Sequence, residues 1–278
     1  AEKTDVRSGQ DRAVVEVSLA NSKNYRRLLS NGGRIKSYID EEPLPEEFSF
    51  FNESHTLFTY LHLAADMKNA LNLAKTGVTG IAYETVTSSD GSMPLLAPMS
   101  TIAGQLAFVV GSYHLLKHNK GKGVMIGHMD DMDPRVVTVI GAGVAGTQSI
   151  LKAIDNKALV KVVDSSQSKL DDLKSKYGTE NVEYILSSKD SIQVSVNESD
   201  LVIGSVYVVG KEAPKVVTKD MLSSMNPGTV MVDVSIDQGG CFETSKPTTH
   251  DSPTFLENEI VHYCVTNLSL IHISEPRD

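Results

Sequence analysis

The run VVTVI leads straight into G-A-G-V-A-G, which sets Gly141, Gly143 and Gly146 between a strand-like segment and a helix-like one. Glycine at the first position permits a tight turn. At the second it lets an anionic group reach the backbone, and at the third it lets the helix pack closely on the strand. The stretch from Gly141 through Val144, Ala145 and Gly146 then offers free N–H groups and the positive end of a helix dipole to a pyrophosphate. Asp164 closes the next strand-like run, VKVVD. It lies about 20 residues after the glycines, where a carboxylate accepts both hydroxyls of an adenosine ribose and repels a 2′-phosphate. NAD is therefore the expected cofactor rather than NADP. The competing reading is a doubly wound sheet whose glycine turn holds nothing.

Three other places carry chemistry. IGSVYVVG ends a strand-like run in the same half, so Ser205, Val206 and Val208 either wall the cofactor or simply lead on to a helix. His62, in LHLAA, carries an imidazole, the side chain that suits proton transfer, although a lone histidine among apolar residues is as a rule a packed one. Asp237, in IDQGGCFE, follows the strand-like GTVMVDVS and so stands at the sheet edge of the glycine turn; the alternative is that it caps the loop at Gly239 and Gly240. Asp233, earlier in that run, reads as a buried structural acceptor.

The elements that must position these groups alternate. Arg12 to Leu19 is strand-like within a weakly patterned first fifty residues. TLFTYLHLA, a helical pattern through Met67, Ala70, Leu71 and Ala74 stopped by Gly77, and VTGIAYETV together read as a βαβ unit. Ser88 to Gly91 is a turn, and 100–117 a long helix with Ser100 as its N-cap. Beyond it VVTVI, Ala145 to Ile154, VKVVD, Ser168 to Tyr177, VEYI, DLVIGSV, helical TKDMLSSM, GTVMVDVS and IVHYCV form a doubly wound sheet.

At about 150 residues per domain, 278 residues suggest two domains. A hydrophobic share of 40% and a charged share of 22% exclude a disordered or collagen-like chain. The formal charge of −9 disfavours nucleic acid and anionic lipid as partners. Cys241 and Cys264 have no C-x-x-C spacing, so neither a disulfide framework nor a metal site is expected, and a cytoplasmic setting is. No apolar stretch reaches the roughly 18 to 20 residues that cross a bilayer.

FTYLHLAAD, TGIAYETV, PLLAPMSTIAGQLA, GKGVMIG, VTVIGAGVAGTQS, DLVIGSVYVVG, IDQGGCFE, PTTHDSPTF and HYCVTN together resemble the alanine dehydrogenase family, over about residues 41 to 267. The resemblance implies an α/β protein of two domains flanking a cleft, a Rossmann-type doubly wound parallel sheet and a second α/β substrate domain. It places the substrate domain in residues 1–95, incomplete, and the NAD-binding domain in 96–267. It implies reversible NAD-dependent oxidative deamination of L-alanine to pyruvate and ammonia, and a homohexamer. His62 matches the family's catalytic histidine, and Asp237 its catalytic aspartate beside the nicotinamide. Met99 and Asn267 match substrate-pocket positions, and Ser100, Asp164 and Lys169 match cofactor contacts. The NAD-binding part of a proton-pumping transhydrogenase shares this fold and is the rival reading; a truncated or inactive NAD-binding homologue is another.

The chain departs from the family in three places. Glu41 stands where the family has a lysine that binds the substrate carboxylate, and a carboxylate there opposes binding. Residues 1 to 40 do not resemble the family's opening strand and Arg-containing loop. LSLIHISEPRD, residues 268–278, is an atypical tail that resembles translated adapter sequence and is expected to be non-native, the alternative being a divergent but genuine end of the chain.

Overall fold

A computed structural model describes residues 2–8, 11–19, 27–31, 35–39, 45–63, 67–127, 132–208 and 212–271, with side chains described, within those ranges, from residue 47 to 269. Glu41 lies outside the described residues, as do 272–278. The chain divides into two compact units, Ala1–Leu96 and Ala97–Asp278.

The first unit holds one six-stranded sheet in sequence order: β1 (Glu2–Ser8), β2 (Asp11–Leu19), β3 (Arg27–Asn31), β4 (Ile35–Ile39), β5 (Thr56–Thr59) and β6 (Thr79–Ala82). The pairs β1–β2, β2–β3 and β3–β4 are antiparallel, and β4–β5 and β5–β6 parallel. Helix α1 (Met67–Lys75) joins β5 to β6 and ends before Gly77, whose φ of +72° is the left-handed stop that glycine accepts most readily. Phe51, Leu57, Leu61 and Leu73 form the buried core of this unit. The strand expected over VTGIAYETV is shorter: Tyr83–Thr85 tighten into a 3-10 turn.

The second unit is a seven-stranded sheet made from β7 (Val136–Ile140), β8 (Leu159–Asp164), β9 (Val182–Leu186), β10 (Leu201–Gly204), β11 (Val230–Asp233), β12 (Thr254–Glu257) and β13 (Ile260–Tyr263). Its order is β12-β13-β11-β10-β7-β8-β9, parallel throughout except for the antiparallel edge strand β12. The chain therefore winds outward in both directions from β7 and β10, the doubly wound arrangement whose crevice opens where the order reverses. Alternate residues serve two cores. Val137, Val139, Leu201, Ile203, Val230 and Val232 pack on one face with α2 (Ala97–His114) and α3 (Val144–Asp155). Ile140, Val202 and Met231 pack on the other with Ile192 and Val196 of α5 (Lys189–Glu198). The period of two explains why these strands read as unbroken apolar runs. Leu268, the first residue of the segment read as a tail, is buried in the first of these cores.

Several expected elements are corrected. Helix α2 begins at Ala97, not Ser100, and ends at His114, so Ser100 lies inside its first turn and is not its cap. Pro98 is tolerated there because first-turn N–H groups have no intrahelical acceptor to lose. TKDMLSSM forms a 3-10 helix, Lys219–Ser224. Helix α5, which the reading missed, is signalled by a capping box between Ser188 and Ser191. β12 and β13, the former also missed, join through Asn258 and Glu259, whose φ values of 50° and 62° make a two-residue primed turn.

At the foot of the sheet, Asp200 accepts the Val136 N–H at 3.0 Å and the Lys122 ammonium at 2.8 Å. Lys122 also donates to the Ser199 carbonyl at 2.9 Å. Two buried histidines pack elsewhere in this unit. His262 is fully buried, with Nε2 against the Thr244 hydroxyl at 2.8 Å and its ring stacked on Phe255. His114, at the end of α2, packs on Tyr263. Burial lowers the pKa of both, and His118 adds to the effect at His114. A base whose folded pKa lies below its unfolded value stabilises the fold above the unfolded value and stops doing so as pH falls through the folded one. Melting temperature should therefore drop from about pH 6.5 toward pH 5, and more shallowly in His262→Gln; equal slopes would assign the loss to other groups.

Candidate functional site

The glycine turn takes shape because β7 ends at Ile140 and the chain must reverse into α3 within a few residues. Gly141 has a φ of +97°, and a β-carbon there would stand 2.6 Å from the Ser205 carbonyl oxygen. At Gly146 a β-carbon would fall 1.8 Å from the Gly141 carbonyl oxygen. Around Gly143, by contrast, an added β-carbon would meet nothing within 4 Å, so its outer face is open. Gly143 is also the N-cap of α3, and no side chain among the described residues caps that helix, whereas Ser166 and Ser188 cap α4 (Gln167–Tyr177) and α5. The N–H groups around Val144, Ala145 and Gly146 therefore face the open side with the positive end of the helix.

Two side chains brace this turn. Asp164, at the end of β8, accepts the Ala142 N–H at 2.7 Å through Oδ2 and the Ser166 N–H at 2.8 Å through Oδ1. A carboxylate has about four acceptor positions, so each oxygen retains one for a further donor. Ser205, beyond β10, donates its hydroxyl to the Gly141 carbonyl at 2.8 Å and its N–H to the Ile140 carbonyl at 2.8 Å. Val206 N would lie 3.1 Å from a β-carbon on Gly141, so 205–206 forms the neighbouring wall of the turn. Val208 follows, half-buried, without an intervening helix. Lys169 is exposed in the first turn of α4, its N–H directed to the Ser166 hydroxyl. Met99 and Ser100 sit in the first turn of α2, which packs so closely on α3 that a β-carbon on Gly104 would stand 2.0 Å from the Ala145 carbonyl oxygen.

Farther along the same carboxyl edge, Asp237 lies in a 3-10 turn, Ile236–Gln238, after β11. It is half-buried, and Oδ1 accepts the backbone N–H of Asn267 at 2.9 Å, so the structure brings together two residues singled out separately. The Gly239 and Gly240 N–H groups are taken by the carbonyls of Ile236 and Ser235. Asp233 is buried at the end of β11, where burial raises its pKa against the opposing pull of its hydrogen bonds.

In the first unit, β5 and β6 run parallel with Thr59 opposite Ala82, so the residues that follow both strands leave by the same edge. There the buried Glu84 carboxylate accepts the His62 N–H at 2.7 Å and the Leu61 N–H at 3.2 Å. His62 is half-buried, stacks on Tyr60 and has a φ of 42°. That left-handed conformation is uncommon outside glycine, and such strain gathers at functional sites. Glu84 was missed by the sequence reading; its acidity two residues beyond a strand paired with the one before His62 was the available signal.

A turn of three glycines with an open second position, an uncapped helix N-terminus and an acceptor at the end of the next strand fits a dinucleotide. Fold and turn together define a nucleotide-binding protein of the doubly wound α/β class. Residues 107–271 match the Alanine dehydrogenase/PNT, C-terminal domain, and residues 40–103 match the Alanine dehydrogenase/PNT, N-terminal domain. The chain belongs to the alanine dehydrogenase/PNT family.

Curated relatives agree. Alanine dehydrogenase of Halomonas elongata is 47% identical over 228 residues, covering 82% of this chain and 61% of that protein. Alanine dehydrogenase of Mycobacterium tuberculosis is 44% identical over 229 residues, with 82% and 61% covered. A solved L-alanine dehydrogenase superposes with a TM-score of 0.73 at 39% identity, covering 84% of this chain and 64% of the other. A transhydrogenase from Sinorhizobium meliloti shares the fold, with a TM-score of 0.67 at 21% identity over 84% and 67% of the two chains. The chain thus spans about 61% of the length of these curated relatives. No helix among the described residues is long and apolar enough to cross a membrane.

Proposed function

We propose that this chain is an NAD-dependent alanine dehydrogenase or the larger part of one. It would convert L-alanine, NAD and water to pyruvate, ammonium, NADH and a proton, reversibly, as a cytoplasmic homohexamer that uses neither nucleic acid nor a membrane. The observation that carries the reading is 44–47% identity to alanine dehydrogenases over about four-fifths of the chain, together with family-domain matches over 40–103 and 107–271, which include His62, the glycine turn and Asp237.

When bound, the nicotinamide supplies the hydride acceptor. Gly141, Gly143 and Gly146, with the N–H groups of Val144 and Ala145, would hold the pyrophosphate; Asp164 and Lys169 would hold the adenosine ribose side, and Ser100, Ser205, Val206 and Val208 would flank the cofactor. Met99 and Asn267 would line the substrate pocket. His62 would hydrogen-bond the substituent on the reacting carbon and give or take its proton, while Asp237 would orient water and ammonia beside the nicotinamide.

The test is alanine-dependent appearance of NADH beside direct NAD titration of the same preparation. Turnover supports the reading; NAD binding without turnover sinks the enzyme and favours the inactive homologue, and hydride exchange between NAD and NADP analogues without alanine-dependent reduction would favour the transhydrogenase. Asp164→Ala should weaken NAD by about 1–3 kcal/mol, the cost of leaving hydrogen-bond partners unpaired; unchanged affinity in the same titration would remove Asp164 from the ribose. Glu41→Lys should lower the KM for alanine, because it replaces a repelling charge by an attracting one. An unchanged KM would place position 41 away from the substrate carboxylate.

A further inference from the structure

We infer that Asp233 is a positioning residue for Asp237: its buried carboxylate closes the loop that carries Asp237 and so fixes where that side chain and Asn267 stand. The inference rests on the role proposed for Asp237.

The loop leaves the sheet at the end of β11 and folds back on Asp233 at Cys241 and Phe242. Asp233 gathers both of its ends. Oδ1 accepts the Ser235 N–H at 3.0 Å and the Cys241 thiol at 3.4 Å. Oδ2 accepts the Cys241 N–H at 2.9 Å, the Phe242 N–H at 3.3 Å and the Ser245 hydroxyl. Five donors from four residues thus converge on a group that is 2% exposed. The loop tip is shaped to the same carboxylate: Gly239 and Gly240 have φ values of +85° and +77°, and a β-carbon on Gly240 would stand 2.7 Å from Asp233 Oδ2. From outside, the Lys215 ammonium bonds the carbonyls of Gly239 and Gly240, and the Ala213 N–H bonds the Gln238 carbonyl at 2.9 Å.

Between these clamps Asp237 has little freedom of backbone, and its Oδ1 reaches the Asn267 N–H at 2.9 Å. Asn267 itself has a φ of 51°, a conformation that asparagine tolerates better than most residues and that the bond to Asp237 helps hold. The path is continuous: carboxylate, loop ends, Asp237, Asn267. Filling the position of Asp233 with an isosteric amide turns one acceptor oxygen into a donor and sets it against donors already there, so the loop must open on that side.

The test is site-resolved hydrogen exchange on the full chain, comparing the native sequence with Asp233→Asn and with Ser245→Ala, which removes a single donor and spares the fold if the first variant does not. Asn267 N–H exchange should speed up at least about tenfold in Asp233→Asn and about two- to threefold in Ser245→Ala, while β7 and β8 stay protected. Unchanged Asn267 protection in every variant that folds would overturn the inference. In steady-state kinetics Asp233→Asn should lower kcat about tenfold and leave the KM for NAD within about twofold, a split that general loosening of the nucleotide unit would not give; a KM that rises as kcat holds would also overturn it. If the native chain shows no alanine-dependent turnover, the functional reading fails, and the exchange experiment still decides whether Asp233 sets Asp237.

Discussion

His62→Asn should lower kcat by about 10²- to 10⁴-fold, the usual contribution of a positioned acid or base, and leave NAD affinity unchanged. Asparagine is the informative replacement. The backbone at position 62 holds a φ of 42°, pinned by the Glu84 carboxylate on its N–H. Asparagine occupies the left-handed region at lower cost than alanine, so the variant loses the imidazole without disturbing the turn. The same preparation should melt within about 1 kcal/mol of the native protein, a figure in keeping with a partly exposed substitution that spares the backbone. A kcat within a factor of about three of the native value would show that His62 is a packed structural residue.

Gly146→Ala and Gly143→Ala should separate fold from ligand in the glycine turn. A β-carbon at position 146 would meet the Gly141 carbonyl oxygen at 1.8 Å and the Ser205 hydroxyl at 2.6 Å. Neither is the free end of a flexible chain, so the turn or α3 must move, at the roughly 1–3 kcal/mol or more that overpacking costs. NAD binding should be lost with it. At Gly143, with a φ of −75° and nothing within 4 Å of an added β-carbon, alanine meets no clash and costs the fold up to about 1 kcal/mol, the margin by which glycine is preferred at an N-cap. Its expense falls on the pyrophosphate, which needs that space, so calorimetry should show near-native melting and NAD titration a marked loss. If Gly143→Ala binds NAD as the native chain does, the phosphates lie elsewhere.

Much of the second unit was legible because its cues are local. Strand, glycines, helix and Asp164 fall within one short stretch, and the period of apolar residues in β7, β10 and β11 is set by burial on both faces. What escaped depends on register or on distance along the chain. Helix α5 carries Ile192 and Val196 on an otherwise polar, β-branched segment, so only its capping box betrays it. The start of α2 was displaced because Pro98 looks like a barrier but sits where a helix does not need its N–H. Asp233 was read as an acceptor, yet its donors come from Ser235, Cys241, Phe242 and Ser245, and no spacing rule collects those four. Glu84 meets His62 only because β5 and β6 pair in parallel with Thr59 opposite Ala82.

The Lys122–Asp200 pair bears on the far end of the sheet. By fastening β7 through the Val136 N–H to the start of β10, it fixes the separation of the two strands at their roots, with both side chains largely out of water. The two strands pair in step from Val137 opposite Leu201 to Ile140 opposite Gly204, so the register fixed at the root is carried along the ladder to where Gly141 and Ser205 begin. Natural variation at position 122 or 200 would therefore act as a remote adjustment of the mouth of the nucleotide crevice, felt by the ligand although neither side chain lies at that edge.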